Sequence, residues 1–336
     1  MLETLNKYYE DGWLIKQTHP TLPLTIWNYS QTTQYECKWD EVTMMCRGLV
    51  TDEMGNIVAR PFKKFFNMEE GKHTPTSEFD VYEKMDGSLI IIFWYDGGWV
   101  VASRGSFTSE QALAAERIFF DELDHNFSIG ITYLFEFTAP WNRIVVDYGE
   151  KPNLTLLGVI RTESGDEASW DVLKGIADGA NCDVVKKYDG INDYSTLKGM
   201  IGNNAEGFVI RFSNGDRMKI KGEEYLRLHK IMTEVSTKSV WEVLSNGDDM
   251  EGLLKDVPDE FYSKIKEYER ELVIQFNQLE EEYQNHFDSI KGLGIRKYFA
   301  QSARMFKYPS ILFAMLDGKD VEPIIWKIIQ PEFKKL

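Results

Sequence analysis

The feature that most constrains this fold is a change of periodicity near Gly222. From about residue 81 to 222 the chain passes through short apolar runs of strand length: SLIIIFWY (88–95), WVVAS (99–103), ITYLFEFT (131–138), RIVVDY (143–148), LTLLGVI (154–160), EGFVIRF (206–212) and RMKIKG (217–222). Asp96-Gly97-Gly98 and Ser213-Asn214-Gly215-Asp216 separate neighbouring runs and predict hairpins. Two helices interrupt the strands: TSEQALAAERIFFDEL (108–123), opened by a Thr108/Gln111 capping box, and SWDVLKGIADG (169–179), capped by Ser169 and stopped by Gly179. After Gly222 the three-to-four spacing of helices takes over, in EEYLRLHKIMTEVSTKSVWEVL, DEFYSKIKEYERELVIQFNQLEEEYQNHFDSIK, GIRKYFAQSARMFK and VEPIIWKII. The expected fold class is α+β. Antiparallel sheets with flanking helices fill residues 1–222, and an all-α domain fills 223–336.

Composition narrows the setting. A chain of 336 residues with 43% apolar content can bury two cores. Cys37, Cys46 and Cys182 lack C-x-x-C spacing and the five histidines are scattered, which predicts neither a disulfide framework nor a structural zinc site and fits a reducing cytoplasm. The N-terminus carries no export signal, and no apolar run approaches the roughly 18 residues of a membrane span. A net charge of −16 opposes generic coating of polyanions, so any nucleic-acid contact needs a local basic patch.

The stretch VYEKMDGSLI places Lys84 at the end of an apolar strand, with Gly87 removing side-chain bulk beside it. Alone, it reads equally well as a solvated lysine before a turn. Its chemical reading is an amine presented to a phosphorus atom, and such an amine must be neutral to attack; neighbouring cations disfavour the ammonium form. RMKIKG supplies them: Lys219 and Lys221 are two apart and share one strand face, while Met218 and Ile220 take the other. Glu136 lies on the opposite face from Phe135 and Phe137, and Glu206 lies across the second hairpin from the lysines. Each charge singly fits the wet face of a strand. Together they form a mixed-charge cleft suited to a metal-bound triphosphate.

Lys84-Met-Asp-Gly-Ser88, Phe135-Glu-Phe137, Glu206-Gly-Phe-Val-Ile-Arg211 and Lys219-Ile-Lys221 resemble, in order and spacing, the motifs of the covalent nucleotidyltransferases, which include DNA ligases, RNA ligases and capping enzymes. Ser88, the stretch 46–70 and Pro-Trp-Asn-Arg-Ile-Val-Val-Asp-Tyr (140–148) resemble the bacteriophage RNA ligase 1 family of tRNA-repairing enzymes. The resemblance spans about residues 40 to 225. It implies a nucleotidyltransferase domain in which Lys84 attacks the α-phosphorus of ATP and carries AMP to an RNA 5′-phosphate, which a 3′-hydroxyl then attacks to seal the strand. It also implies that Glu136 engages the ribose, that Glu206 supports a magnesium or manganese site, and that Lys219 and Lys221 hold the α-phosphate. Arg47, Asp86, Gly87 and one of Lys63 or Lys64 join them at the nucleotide, with Lys64, before Phe65-Phe66-Asn67, the favoured one. Arg104 stands where the family carries lysine, and a guanidinium is not interchangeable with an ammonium. The implied partners are single-stranded RNA or a broken tRNA loop and an end-healing enzyme, in the host cytoplasm of a phage.

DNA ligases and capping enzymes follow the last motif with an OB-fold of about five strands, whereas 223–336 reads as helices. Those helices resemble the specificity domain of RNA ligase 1. No acid lies between Asp288 and Asp317, and a helix over about 294–307 places Arg296, Arg304 and Lys307 near one face with Lys297, Tyr298 and Phe306 close by. That face is either a solvated helix surface over a core stripe or an RNA dock. The alternatives are a DNA ligase, a capping guanylyltransferase, and a catalytically silent RNA-binding protein of the same fold.

Overall fold

The computed structural model describes residues 1–72, 74–76, 78–227, 236–254 and 262–332. Contacts divide the chain into Met1–His229 and Lys230–Leu336. The division comes later than the expected junction after residue 222 because Tyr225 and Leu226 pack on Val145 and Val146 of the first unit.

Among its described residues the first unit contains three sheets. The N-terminal sheet has the order β1 (Leu14–Thr18), β2 (Leu24–Tyr29), β3 (Arg47–Asp52) and β4 (Ile57–Ala59). Two further sheets follow, built from β5 (Phe66–Asn67), β6 (Phe79–Lys84), β7 (Ser88–Tyr95), β8 (Gly98–Ser103), β9 (Ile131–Thr138), β10 (Asn153–Arg161), β11 (Asp183–Val184), β12 (Lys187–Tyr188), β13 (Gly207–Phe212) and β14 (Arg217–Lys221). The central sheet runs β11-β10-β9-β7-β8 and the third runs β12-β6-β13-β14-β5. Alternation along the apolar strands explains the layering. Leu89, Ile91 and Phe93 of β7 meet Leu24, Ile26 and Val50 of the N-terminal sheet, while Ile90 and Ile92 face the opposite core with Phe135 and Phe137. Helices Glu110–Asp121 and Trp170–Ala180 close that second face through Ala115, Ile118, Phe119, Leu173 and Ala177. Both expected hairpins form, pairing Tyr95 with Gly98 and Arg211 with Arg217.

Three local expectations are corrected. Residues 143–148 form no strand, because the backbone N–H groups of Val145 and Val146 donate to the Asp86 carboxylate instead of to a ladder. The first helix starts one residue late, with Ser109 as the cap accepting from the Ala112 N–H at 3.2 Å. The second helix runs past Gly179 to Asn181, which takes the left-handed conformation that ends it, and Ser169 makes no side-chain cap bond there. The individual strands of the N-terminal sheet were not located from sequence, and β1, which buries Leu14 alone, shows no alternation.

The second unit is helical among its described residues: Thr237–Asn246, Glu251–Leu254, Tyr262–Ile290, Arg296–Ala303, Pro309–Leu316 and Glu322–Ile328. Its core gathers Tyr283, Phe299, Ile311, Leu312 and Ile325. Residues 259–261 of the expected long helix lie outside the described residues. No described helix is long and apolar enough to cross a membrane.

Candidate active site

The third sheet sorts its side chains by face. Val81, Phe208, Ile210, Met218 and Ile220 pack into a core on one side. Tyr82, Lys84, Val209, Arg211, Arg217 and Lys221 line a cavity of about 520 Å³ on the other. Register brings the reactive ends together, since Gly207 on β13 sits opposite both Lys84 and Lys221. Glu206, just before Gly207, places Oε1 2.7 Å from Lys84 Nζ and 3.5 Å from Lys221 Nζ, with only 4% of its side-chain surface exposed. Gly207 is required where it stands: its φ is +152°, and a Cβ would lie 1.9 Å from the Ile220 carbonyl oxygen.

Gly87 is required for a different reason. A Cβ there would lie 2.4 Å from the Phe137 carbonyl oxygen, so only glycine lets the turn after Lys84 press against β9. That contact lets the Gly87 N–H donate to Glu136 Oε1 at 3.1 Å. Burial, reinforced by the charge of Glu206, pushes the Glu136 carboxyl up to about 7, against the opposing pull of Lys84, Arg47 and the Gly87 N–H. Asp86 is buried and points its carboxylate behind the turn. Oδ2 accepts from the Val145 and Val146 N–H groups at 2.8 and 2.9 Å, and Oδ1 accepts from the Tyr225 hydroxyl at 2.9 Å. Its visible task is to clamp the lysine turn to two other segments, a role the linear motif does not disclose.

Arg47 and Arg104 line the cavity; Lys64 and Lys219 are not among its lining residues. Lys64, buried, stands 5.1–5.5 Å from the ring centres of Tyr29, Trp39 and Phe66, whereas neighbouring Lys63 is exposed. Lys219 is 8% exposed and sits opposite Val209 and Asn67. Tyr29, missed by sequence reasoning, ties the cations together: Arg104 Nη1 is 3.5 Å from its hydroxyl and Lys64 lies over its ring. Burial and the charge of Arg104 pull the Arg47 guanidinium below its ordinary value, partly offset by Tyr29 and Glu136.

Among the described residues no three His, Cys, Asp or Glu side chains converge as a metal cage. The lining acids nearest Lys84 are Glu83, Asp86, Glu136 and Glu206, and both oxygens of Asp86 are taken up by its clamp. Glu136 and Glu206 fit a magnesium ion completed by phosphate oxygens and water, because such ions take one or two protein carboxylates alongside substrate phosphates.

The second unit departs from the expected basic face. The helix stops at Ala303, leaving Arg304 as its cap and Lys307 beyond it. Arg296 Nη1 pairs with Asp317 Oδ1 at 2.8 Å, and Phe306 packs at a tilt against His286 with ring centres 4.1 Å apart. Tyr298 is 52% exposed and Lys297 is also exposed.

Comparison with known proteins decides the family. The RNA ligase family profile matches residues 45–232, more than half of the chain. This chain belongs to the RNA ligase family. A protein of Autographa californica nuclear polyhedrosis virus named as a bifunctional polynucleotide kinase/RNA ligase is 30% identical over 222 residues, which is 56% of this chain and 31% of that protein. The chain thus spans under a third of that relative. It aligns with 84% of the RNA ligase of Rhodothermus phage RM378, at 22% identity over 368 residues and 84% of this chain. A solved Aquifex aeolicus structure named as an ATP-dependent DNA ligase shares the fold, with TM-score 0.52, 13% identity, and 96% of this chain and 100% of that one covered.

Proposed function

We propose that this family member is an ATP-dependent RNA ligase that works through a covalent lysyl-AMP. The observation carrying the proposal is the Lys84 amine at the cavity, 2.7 Å from a buried carboxylate that Lys221 also approaches. Lys84 Nζ forms a bond to the α-phosphorus of ATP as the bond to pyrophosphate breaks, and Glu206 Oε1 is in reach of the ammonium proton. Lys221, Arg47 and Arg104 supply fixed positive charge for the triphosphate. Lys64 and Lys219 support them from positions set back in the fold. Glu136 faces the ribose, and with Glu206 provides the carboxylates for magnesium, which when bound neutralises charge developing on phosphate oxygens. Asp86 and Gly87 hold Lys84 in place.

AMP then passes to an RNA 5′-phosphate, and a 3′-hydroxyl displaces it to join the ends. The name of the nuclear polyhedrosis virus relative pairs a kinase with a ligase, which supports an end-healing partner that makes 5′-phosphates. The phage relative, named as an RNA ligase, supports action in an infected host cell, where the proposed role is RNA or tRNA repair. The second unit selects the RNA, with Lys297 and Arg304 as phosphate contacts, Tyr298 as a stacking surface, and Lys307 and the paired Arg296 at the margin.

The test is joining of a 5′-phosphorylated, 3′-hydroxyl RNA by purified protein with ATP and magnesium. Circular or joined product that requires both supports the proposal. Label transfer from GTP and not from ATP indicates capping chemistry, and binding of RNA without any joining by folded protein indicates a silent binder.

A further inference from the structure

The end of the cavity remote from Lys84 holds three charged side chains that phosphoryl transfer does not use. Arg211 stands four residues from Gly207 along β13, about 13 Å at strand spacing, and pairs in register with Arg217 on β14. Glu167 meets both arginines at the same oxygen, Oε1, in contact with Arg217 and 3.7 Å from Arg211 Nη1. All three are largely buried, with side-chain exposures of 13, 19 and 13% for Glu167, Arg211 and Arg217. Arg211 also donates to the Ala168 carbonyl at 3.2 Å, and the Arg217 guanidinium lies 4.3 Å from the Phe62 ring centre. Strand register places Tyr82 and Val209 between this cluster and Lys84, and the apolar side chains Leu157, Leu173 and Val185 also line the cavity. The cavity is therefore graded along its length: phosphate chemistry at one end, an apolar slot, then donors and an acceptor.

We propose that this cluster reads the base edge of the nucleotide and that Glu167 sets the choice of adenine over guanine. The proposal rests on the nucleotide reading of the site and goes beyond it by naming what selects the base. Arginine alone favours guanine, which presents two acceptors, O6 and N7, to its fork. A carboxylate accepts and cannot donate. With Oε1 engaged by the arginines, Oε2 is the oxygen assigned to the six-position of the purine. Adenine offers an amine there. Guanine offers a second acceptor, leaving two oxygens opposed in a site with little water. Glu167 thus turns an arginine-lined slot from a guanine selector into an adenine selector.

The experiment compares covalent labelling of the full chain by ATP and GTP, each labelled at the α-phosphate, in wild type, Glu167→Gln and Glu167→Asp. Glutamine keeps an oxygen for Arg217 and adds a donor for guanine O6. The expected result is a fall of about tenfold or more in the ATP-to-GTP ratio of kcat/KM, with GTP labelling rising in absolute terms. Glu167→Asp keeps the charge pair but retracts the acceptor, so it loses ATP labelling through KM without gaining GTP. A ratio within about twofold of wild type in either folded variant, or equal loss of both labels in folded Glu167→Gln, overturns the assignment alone. Failure of wild type to label with either nucleotide overturns the nucleotide site itself, and this assignment with it.

Discussion

Glu206 exposes 4% of its side chain and serves two lysines, whereas Asp317 exposes 28% and meets Arg296, itself 68% exposed, at the same kind of distance. The first unit concentrates charge where water is scarce, as Glu167 with its two arginines does again. The second unit spreads pairs such as Lys238 with Glu242 and Lys291 with Asp288 over wet surface. Field strength follows from that difference, because the same separation counts for far more at low effective dielectric. Buried pairs can organise chemistry, while exposed ones contribute little to stability. The net charge of −16 is therefore a poor guide to either site.

The strongest way to break this contrast is Glu206→Ala, which leaves Lys84 and Lys221 facing each other without their shared carboxylate. Label transfer should fall by about a hundredfold or more, and the first unit should melt several degrees lower, since stranding a buried partner costs about 3–5 kcal/mol. Calorimetry alongside the labelling assay checks both.

Glu136→Gln sharpens the contrast through pH. The folded carboxyl titrates at about 7, above the ordinary 4.5, so the folded state holds a proton that the unfolded chain has lost between those values. Wild-type stability should fall as pH rises through that window, and the glutamine variant should escape the fall. Melting temperatures at pH 5 and 8 should show the variant gaining on wild type by a few degrees as pH rises; a constant or reversed difference contradicts the burial of this acid.

On the second unit, Lys297→Ala with Arg304→Ala should leave lysine labelling near wild type while weakening RNA binding. Its salt dependence should drop by about one to two in log–log slope, as expected for two lost phosphate contacts. The smallest effect belongs to Asp317→Asn, which should move the melting temperature by no more than about two degrees because an exposed pair is worth little.

Legibility in the sequence followed the range of the interactions. Strands β7 to β10 and the β13–β14 hairpin were readable because alternation and turn residues are local. That hairpin also fixed Lys221 against Gly207, which is why Glu206 and the lysine pair could be placed together. Asp86 was named as a nucleotide-site residue, yet its partners Val145, Val146 and Tyr225 lie 59 to 139 positions away, and no local pattern announces a clamp. Glu167 stayed hidden likewise, its arginines being 44 and 50 positions on. The expected helix over 294–307 was too long because the spacing of basic residues continues past Ala303 while the backbone turns there, exposing 87% of Met305.

The most direct measurement is incubation of wild type and Lys84→Ala with magnesium and ATP labelled at the α-phosphate, followed by denaturation and mapping of the labelled peptide. The account predicts label on Lys84 in wild type, release of that label into joined product when RNA with a 5′-phosphate and a 3′-hydroxyl is added, and no label in a folded Lys84→Ala protein. Label retained in that variant, or mapped to another residue, contradicts the assignment of Lys84 as nucleophile.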